Sequence, residues 1–274
     1  MSLSINPYTT KLNHGNAYWM ARLSDVVYNS KSGSDPAPDE EVILGKLKAD
    51  DSGFIKIVPV AVDNAQAMLV EHEQYFCMAF RGTDQTKDWF DNFDFDKVKS
   101  YDCEFHEGFY RQISKVWTKL VGTYNELKKE KETPRPLFFT GHSLGGAMAT
   151  VATALWALDG DRQFTSTYTF GQPRAVTSGT DRTLNSIFSS KFFRFHNNND
   201  IVSRVPFRLQ GFRHVGQYVY IDKNGEIHQE SGFWTRFQDQ VRGAWEARNE
   251  PGIDYFADHN IKNYLDAIKN WDLK

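Results

Sequence analysis

The stretch that most restricts how this chain folds is residues 136–150, PLFFTGHSLGGAMAT. A short bulky apolar run ends in Gly141-His142-Ser143-Leu144-Gly145 and continues without a break into small residues. A strand that passes directly into a helix needs a sharp turn, and glycines permit the close approaches and unusual backbone angles of such a turn. G-x-S-x-G with a strand before it and a helix after it is the pattern of a nucleophile elbow. It holds the serine out at the carboxyl end of its strand, where open α/β sheets place their ligands. Gly146, Ala147 and Ala149 leave room for the helix to press against the sheet. A flexible turn with an incidental serine is the plainer account, and the flanking strand and helix argue against it.

The flanks define the architecture. Phe109, Ile113, Val116, Trp117, Leu120, Tyr124 and Leu127 recur at three- and four-residue spacings and predict an amphipathic helix from about residue 107, closed by Pro134. After the elbow come a helix over 145–158 ending at Gly160, the strand STYTF, a helix around 179–188 and the strand FFRFH. This β-α-β alternation predicts a mainly parallel central sheet with helices on both faces, an α/β fold. Upstream, residues 17–29 read as a first helix, 32–41 as a surface loop, and GFIKIVPVAVD and QAMLVEHEQYFCMAF as two β-rich runs. Downstream, residues 211–228 read as a hairpin around Lys223-Asn224-Gly225; a helical region follows over 232–248, and a closing helix starts near 258. With no repeat or low-complexity linker in its 274 residues, the expectation is a single domain over 1–274.

Composition excludes several classes. A net charge of -3, without a basic stripe, argues against nucleic acid as a partner. No apolar run approaches the ~18 residues of a membrane span, and the first residues lack the basic-then-apolar pattern of a secretory signal. The expectation is a soluble, unprocessed chain. Its two cysteines, Cys77 and Cys103, give no disulfide framework, which suits a reducing compartment, cytoplasmic or otherwise. Localisation stays open, since some hydrolases leave cells by other routes. H-E-x-x-H, paired Cys-x-x-Cys, a complete calcium loop and phosphate-cradling glycine motifs are missing, so no metal and no cofactor are expected.

A serine hydroxyl is a poor nucleophile without a base. In chain order an acid should follow the nucleophile, and a histidine should come last. Asp200, just past a strand and two strands after Ser143, fits the acid, and Asp222 in the hairpin turn is the alternative. His214 and His259 both follow the acid. His259 sits at a loop-to-helix junction from which an imidazole can reach back over the sheet, whereas His214 opens a strand as a structural hydrogen-bonder would. The oxyanion formed on attack needs donors. The Leu144 N–H, directly after the nucleophile, is one, and Thr83, in the Arg81-Gly82-Thr83 turn that ends a strand, offers both an N–H and a hydroxyl. Arg81 reads as the side chain that fixes this turn.

FRGT followed by DWFDNF, then HEGFY, TGHSLGGAMA, TFGQPR, NDIVSRVP, HVGQYVYI and a late Asp-His appear here in the order found in the class 3 lipases, the fungal-type triacylglycerol lipases. The chain resembles that family from about residue 17 to 266. The resemblance implies the α/β-hydrolase fold, Ser143, Asp200 and His259 as catalytic triad, and Thr83 and Leu144 as oxyanion donors; it selects His259 over His214. It implies hydrolysis of triacylglycerol esters through an acyl-enzyme, with a lipid or ester substrate and transient contact with a lipid-water interface. Phospholipase A1, short-chain carboxylesterase and feruloyl esterase activities are alternatives on the same scaffold, and a non-catalytic lipid-binding protein is a further one.

Residues 84–96 combine Trp89, Phe90, Phe93 and Phe95 with five aspartates. By the same resemblance this is a lid over the substrate site. Large aromatics mixed with dense charge sit badly in a core and badly in free water, which suits a movable cover; a fixed surface helix is the alternative. Phe233, Trp234, Phe237, Val241 and Trp245 form a second apolar stripe, read first as core and otherwise as a wall of the acyl pocket or a membrane-surface contact.

Overall fold

Strand β6 (Leu137–His142) is the axis on which the molecule is built. The computed structural model describes residues 3–32, 37–83, 94–129, 134–160, 162–229 and 257–271. On one flank β6 pairs in parallel with β3 (Phe76–Phe80), which continues antiparallel through β2 (Ala65–His72) to β1 (Phe54–Val62). On the other flank β7 (Ser166–Phe170), β9 (Phe192–Asn197) and β11 (Gln217–Ile221) add in parallel, and β12 (Ile227–His228) closes that edge antiparallel. The parallel part lies where helices connect the strands, as crossover connections require.

Buried side chains alternate faces along these strands. Phe76, Met78 and Phe80 of β3 and Phe139 of β6 enter a core formed with α3 (Glu107–Lys129) and α4 (Leu144–Leu158). Cys77, Ala79 and Phe138 enter the opposite core, with α1 (His14–Val26), α2 (Glu40–Asp50) and α6 (Ile261–Lys269). A mainly parallel sheet covered by helices on both sides, with the glycine-bracketed serine turn between β6 and the helix that follows it, is an α/β-hydrolase fold. Helix α3 buries Phe109, Ile113, Val116, Leu120, Tyr124 and Leu127 of the stripe expected from its spacing, while Trp117 is only half-buried at its margin. Helix α4 is buried nearly all round, consistent with its run of alanines and other small residues.

Several boundaries differ from the sequence reading. Helix α1 begins at His14 because Asn13 caps it, accepting a hydrogen bond from the Asn16 N–H. Helix α2 begins within the predicted loop and extends past it; Asp39 is its cap, Glu40 and Glu41 fill its first turn, and Lys48 lies in its last. The second β-rich run is two strands, β2 and β3, because the chain reverses between His72 and Phe76. The hairpin begins at Gln217 rather than 211, since β10 (Phe212–Arg213) belongs to a small second sheet of order β10-β8-β5-β4, with β8 at Val176–Thr177, β5 at Cys103–His106 and β4 at Lys97–Ser100. Strands of two to four residues carry too little alternation to be read from sequence. Helix α5 (Thr180–Phe188) follows β8. The 232–248 helical region, its aromatic stripe, and Trp89, Phe90 and Phe93 lie outside the described residues; of the 84–96 segment only 94–96 are described.

Candidate active site

Ser143 sits between β6 and α4 with φ 59° and ψ −131°. Such angles cost a non-glycine residue on the order of 1–3 kcal/mol and persist only where the surroundings enforce them. The enforcement is visible in three glycines. A Cβ on Gly141 would lie 2.2 Å from the Gly145 carbonyl oxygen, one on Gly145 2.1 Å from the Phe80 carbonyl oxygen, and one on Gly146 2.7 Å from Gln172 Cβ. The helix can therefore start against strand β3 only with glycine at these positions. The Ser143 N–H donates to the Phe170 carbonyl at 2.9 Å, fixing the elbow to the end of β7. Its Oγ is buried and makes no hydrogen bond.

The end of β7 also borders the acid and the base. Gly171, next in the chain, has φ +58°, and a Cβ there would stand 2.6 Å from Asp200 Oδ2 and 2.9 Å from His259 Nδ1. Asp200 and His259, 59 residues apart, meet directly: His259 Nδ1 lies 2.9 Å from Asp200 Oδ2. With the carboxylate accepting at Nδ1, the imidazole presents Nε2 as its basic atom; that atom is buried and has no partner. Ser143 Oγ and His259 Nε2 are thus the two uncommitted polar atoms of the site.

Asp200 is fully buried and held from several sides. Oδ1 accepts the Val202 N–H at 2.9 Å, and Oδ2 also accepts the Tyr264 hydroxyl. Burial pushes its carboxyl upward, but the interaction and hydrogen bond with His259, with the Tyr264 hydroxyl adding to them, outweigh that and leave it below the usual carboxylate range. It therefore remains an anion beside the imidazole.

Behind the pair lies a layer the sequence reading did not identify. His142 Nε2 donates to the His259 carbonyl at 2.6 Å, while its Nδ1 accepts from the Tyr28 hydroxyl at 2.9 Å. Burial, with the neighbouring His259 adding to it, pulls His142 down to about 3, so it supports the base as a neutral ring. Asp258 Oδ2 accepts from Asn198 Nδ2 at 2.9 Å and the Asn199 N–H at 3.1 Å, and the Asp258 carbonyl accepts from Asn197 Nδ2 at 2.9 Å. The acid-bearing loop and the histidine turn are thereby clamped together. Asp258 adjoins His259 in sequence, but its partners are sixty residues away, so spacing carried no signal for this clamp.

The oxyanion candidates fall on the serine's side. Leu144 is the first residue of α4, where the leading N–H groups have no intrahelical acceptor and the helix dipole favours negative charge. A Cβ on Gly82 would stand 3.1 Å from Ser143 Cβ, so the turn preceding Thr83 runs against the serine. Arg81 holds that turn: its backbone N–H donates to the Gln66 carbonyl at 3.0 Å, and its guanidinium reaches Gln66 Oε1 and Ser30 Oγ while lying over the Tyr28 ring. His214 lies between β10 and β11 rather than opening a strand, and its Nε2 donates to the Ser203 carbonyl at 2.9 Å. Asp222 is bonded to His228 in the hairpin, away from the elbow. Among the described residues Asp222, Glu226 and His228 bring possible metal-ligand atoms within 4.8 Å of one another; the Asp222–His228 hydrogen bond at 3.1 Å accounts for part of that closeness.

A serine on a strained strand-to-helix elbow, with an Asp-bonded histidine bordering the end of the neighbouring strand β7, matches the pattern of a nucleophile elbow with its acid and base. Residues 77–210 match the model of the lipase (class 3) family. It is 29% identical over 197 residues to secreted mono- and diacylglycerol lipase 1 of Fusarium solani, covering 69% of this chain and 54% of that protein. It is 29% identical over 187 residues to a lipase of Rhizomucor miehei, covering 64% and 50%. The chain thus spans about half the length of these relatives. Lipase II from Rhizopus niveus superimposes with a TM-score of 0.64 at 20% identity, covering 77% of this chain and 83% of that one, a likeness of fold.

Proposed function

We propose that the chain is a serine hydrolase that cleaves the carboxylic ester bonds of triacylglycerols through an acyl-enzyme, with Ser143, Asp200 and His259 as the triad and Thr83 and Leu144 as oxyanion donors. The observation that carries this reading is the arrangement of uncommitted atoms: Ser143 Oγ on a strained backbone and His259 Nε2 on a ring whose other nitrogen is bonded to a buried carboxylate.

Nε2 takes the hydroxyl proton as Oγ attacks the ester carbonyl, and Asp200 stabilises the imidazolium that forms. The negative charge moves to the carbonyl oxygen, which the Leu144 N–H and Thr83 stabilise. Collapse expels the alcohol, protonated by His259, and leaves the acyl group on Ser143. Water then attacks, giving its proton to Nε2, and the carboxylic acid departs as the Ser143 hydroxyl is restored. No metal or cofactor enters any step.

Residues 84–96 are proposed as a lid, with Trp89, Phe90 and Phe93 meeting the lipid-water interface. Phe95 is exposed, consistent with an apolar segment at the surface. The test is initial rate against the concentration of a medium-chain triacylglycerol, carried through its solubility limit, with Ser143→Ala as blank. A jump above the limit is expected, as is loss of fluorophosphonate labelling in Ser143→Ala. Saturation below the limit refutes the interfacial lid; persistent labelling of the variant refutes Ser143 as nucleophile.

A further inference from the structure

The residue that precedes the nucleophile is tied to the base. His142 closes β6 in register with Phe170 of β7, and a Cβ on Gly82 would lie 2.8 Å from its carbonyl oxygen, so its backbone is fixed between the end of β7 and the turn after β3. His259 lies outside the sheet, at the end of the three-residue turn Ala257–His259. The carbonyls of that turn are held one by one. The Ala257 carbonyl accepts the Asn260 N–H at 3.3 Å and Asn263 Nδ2 at 2.9 Å, both from the start of α6. The Asp258 carbonyl accepts Asn197 Nδ2 at 2.9 Å, from the strand that leads to the acid. The His259 carbonyl accepts His142 Nε2 at 2.6 Å, from the strand that carries the nucleophile. The base is thus triangulated from its own helix, from the acid's strand and from the nucleophile's strand.

The chemistry of these groups decides which nitrogen makes the tie. A carbonyl oxygen only accepts, so Nε2 carries the hydrogen of the His142 ring. Nδ1 of the neutral ring keeps its lone pair, and the Tyr28 hydroxyl donates to it at 2.9 Å. Protonating Nδ1 would require Tyr28 to turn its hydrogen away. The His142 and His259 rings lie 4.5 Å apart at 35°. A cation forms at that distance when His259 takes the serine proton, and a neutral neighbour tolerates it where a charged one would repel it. Burial, with His259 adding to it, keeps His142 neutral.

Resting on the triad reading given above, we propose that His142 is a positioning residue of the ester hydrolysis: its Nε2–H, in a tautomer locked by Tyr28, sets where the His259 imidazole stands relative to Ser143. Ser143 Oγ and His259 Nε2 make no hydrogen bond to each other, so their separation is left to the backbones that carry them. One side chain and one hydrogen bond connect those two backbones, and the side chain belongs to the residue next to the nucleophile.

Two substitutions of like shape separate this hydrogen bond from packing. Gln keeps an N–H where Nε2–H stands, and Met has none. On a soluble short-chain nitrophenyl ester, His142→Met should lower kcat about 100-fold, the scale for ~1 Å of misplacement, with KM within about threefold of the wild type. His142→Gln should recover at least about tenfold of that loss. Fluorophosphonate labelling of Ser143 should slow in the same proportion, because the same imidazole is its base. A thermal melt shows that each variant is folded. A folded His142→Met variant with kcat within about threefold of the wild type overturns the positioning role. So does a loss that His142→Gln shares in full, which would leave the ring to packing. Should His142→Met fail to fold, His142→Asn replaces it: its amide stands near the Nδ1 position, too short for the His259 carbonyl, and the same loss or its absence decides. A wild type no faster than Ser143→Ala overturns the ester-hydrolysis reading and the positioning role with it, whereas an active wild type with unaffected His142 variants overturns the positioning role alone.

Discussion

Replacing Gly171 by alanine adds one methyl group between the two residues that must touch. The new Cβ would stand 2.6 Å from Asp200 Oδ2 and 2.9 and 3.0 Å from His259 Nδ1 and Cε1, where ordinary contacts begin at 3.4 Å. Restoring contact distance to the carboxylate oxygen moves it, or the backbone, by about 0.8 Å. A misplacement of ~1 Å costs on the order of 100-fold in rate, and complete loss of the acid–imidazole contact costs up to ~10⁴-fold. Gly171→Ala should therefore lower kcat by roughly 10²- to 10⁴-fold with little change in KM. The left-handed backbone at φ +58° adds a stability cost of roughly 1–2 kcal/mol. The assay is kcat and KM on a soluble short-chain nitrophenyl ester, which keeps the lid out of the measurement, with a thermal melt to show that the variant is folded. A folded variant with kcat within about threefold of the wild type would show that the Asp200–His259 contact is not what sets the rate.

Other perturbations separate neighbouring roles. Thr83→Val should lower kcat by roughly 10²- to 10³-fold on the same ester while Thr83→Ser retains most of it, because the hydroxyl is the donor tested; equal rates in the two variants would leave only the backbone N–H. Gly145→Ala should cost at least ~3 kcal/mol in denaturant unfolding, since its Cβ would meet the Phe80 carbonyl oxygen at 2.1 Å; an unchanged midpoint would contradict the close approach of α4 to β3. His196 is pushed down to about 3 by burial, from an ordinary 6.5. Between those pH values the unfolded chain holds a proton there that the folded chain lacks, so stability falls as pH falls through that window. His196→Gln should reduce proton uptake on unfolding at pH 5 by about one, measured from the slope of stability against pH; an unaltered slope would mean His196 is protonated in the fold.

The sequence by itself determined what is local or strictly periodic. The elbow at 141–145 was readable because its glycines, its apolar strand and its small-residue helix are contiguous. Helix α3 was readable because its buried face repeats at helical spacing over about five turns. Asp200 and His259 emerged as candidates from chain order, but only its place at a loop-to-helix junction set His259 ahead of His214 until several motifs were read together as a family pattern.

Tertiary structure decided whatever depends on segments far apart in the chain. That His259 rather than His214 reaches Asp200 follows from where α6 docks beside β9, and no spacing encodes it. The His142–His259 contact, the Asp258 clamp on residues 197–199 and the tight fit of Gly171 against the acid–base pair likewise join residues that sequence separates. Arg194 shows the same limit from the other side. Its letter in FFRFH looks like an ordinary polar break in a strand, and only the packed sheet shows that the side chain is buried, its Nε without a partner among the described residues. Periodicity reports which face of an element turns inward; what waits there is set by the elements packed against it.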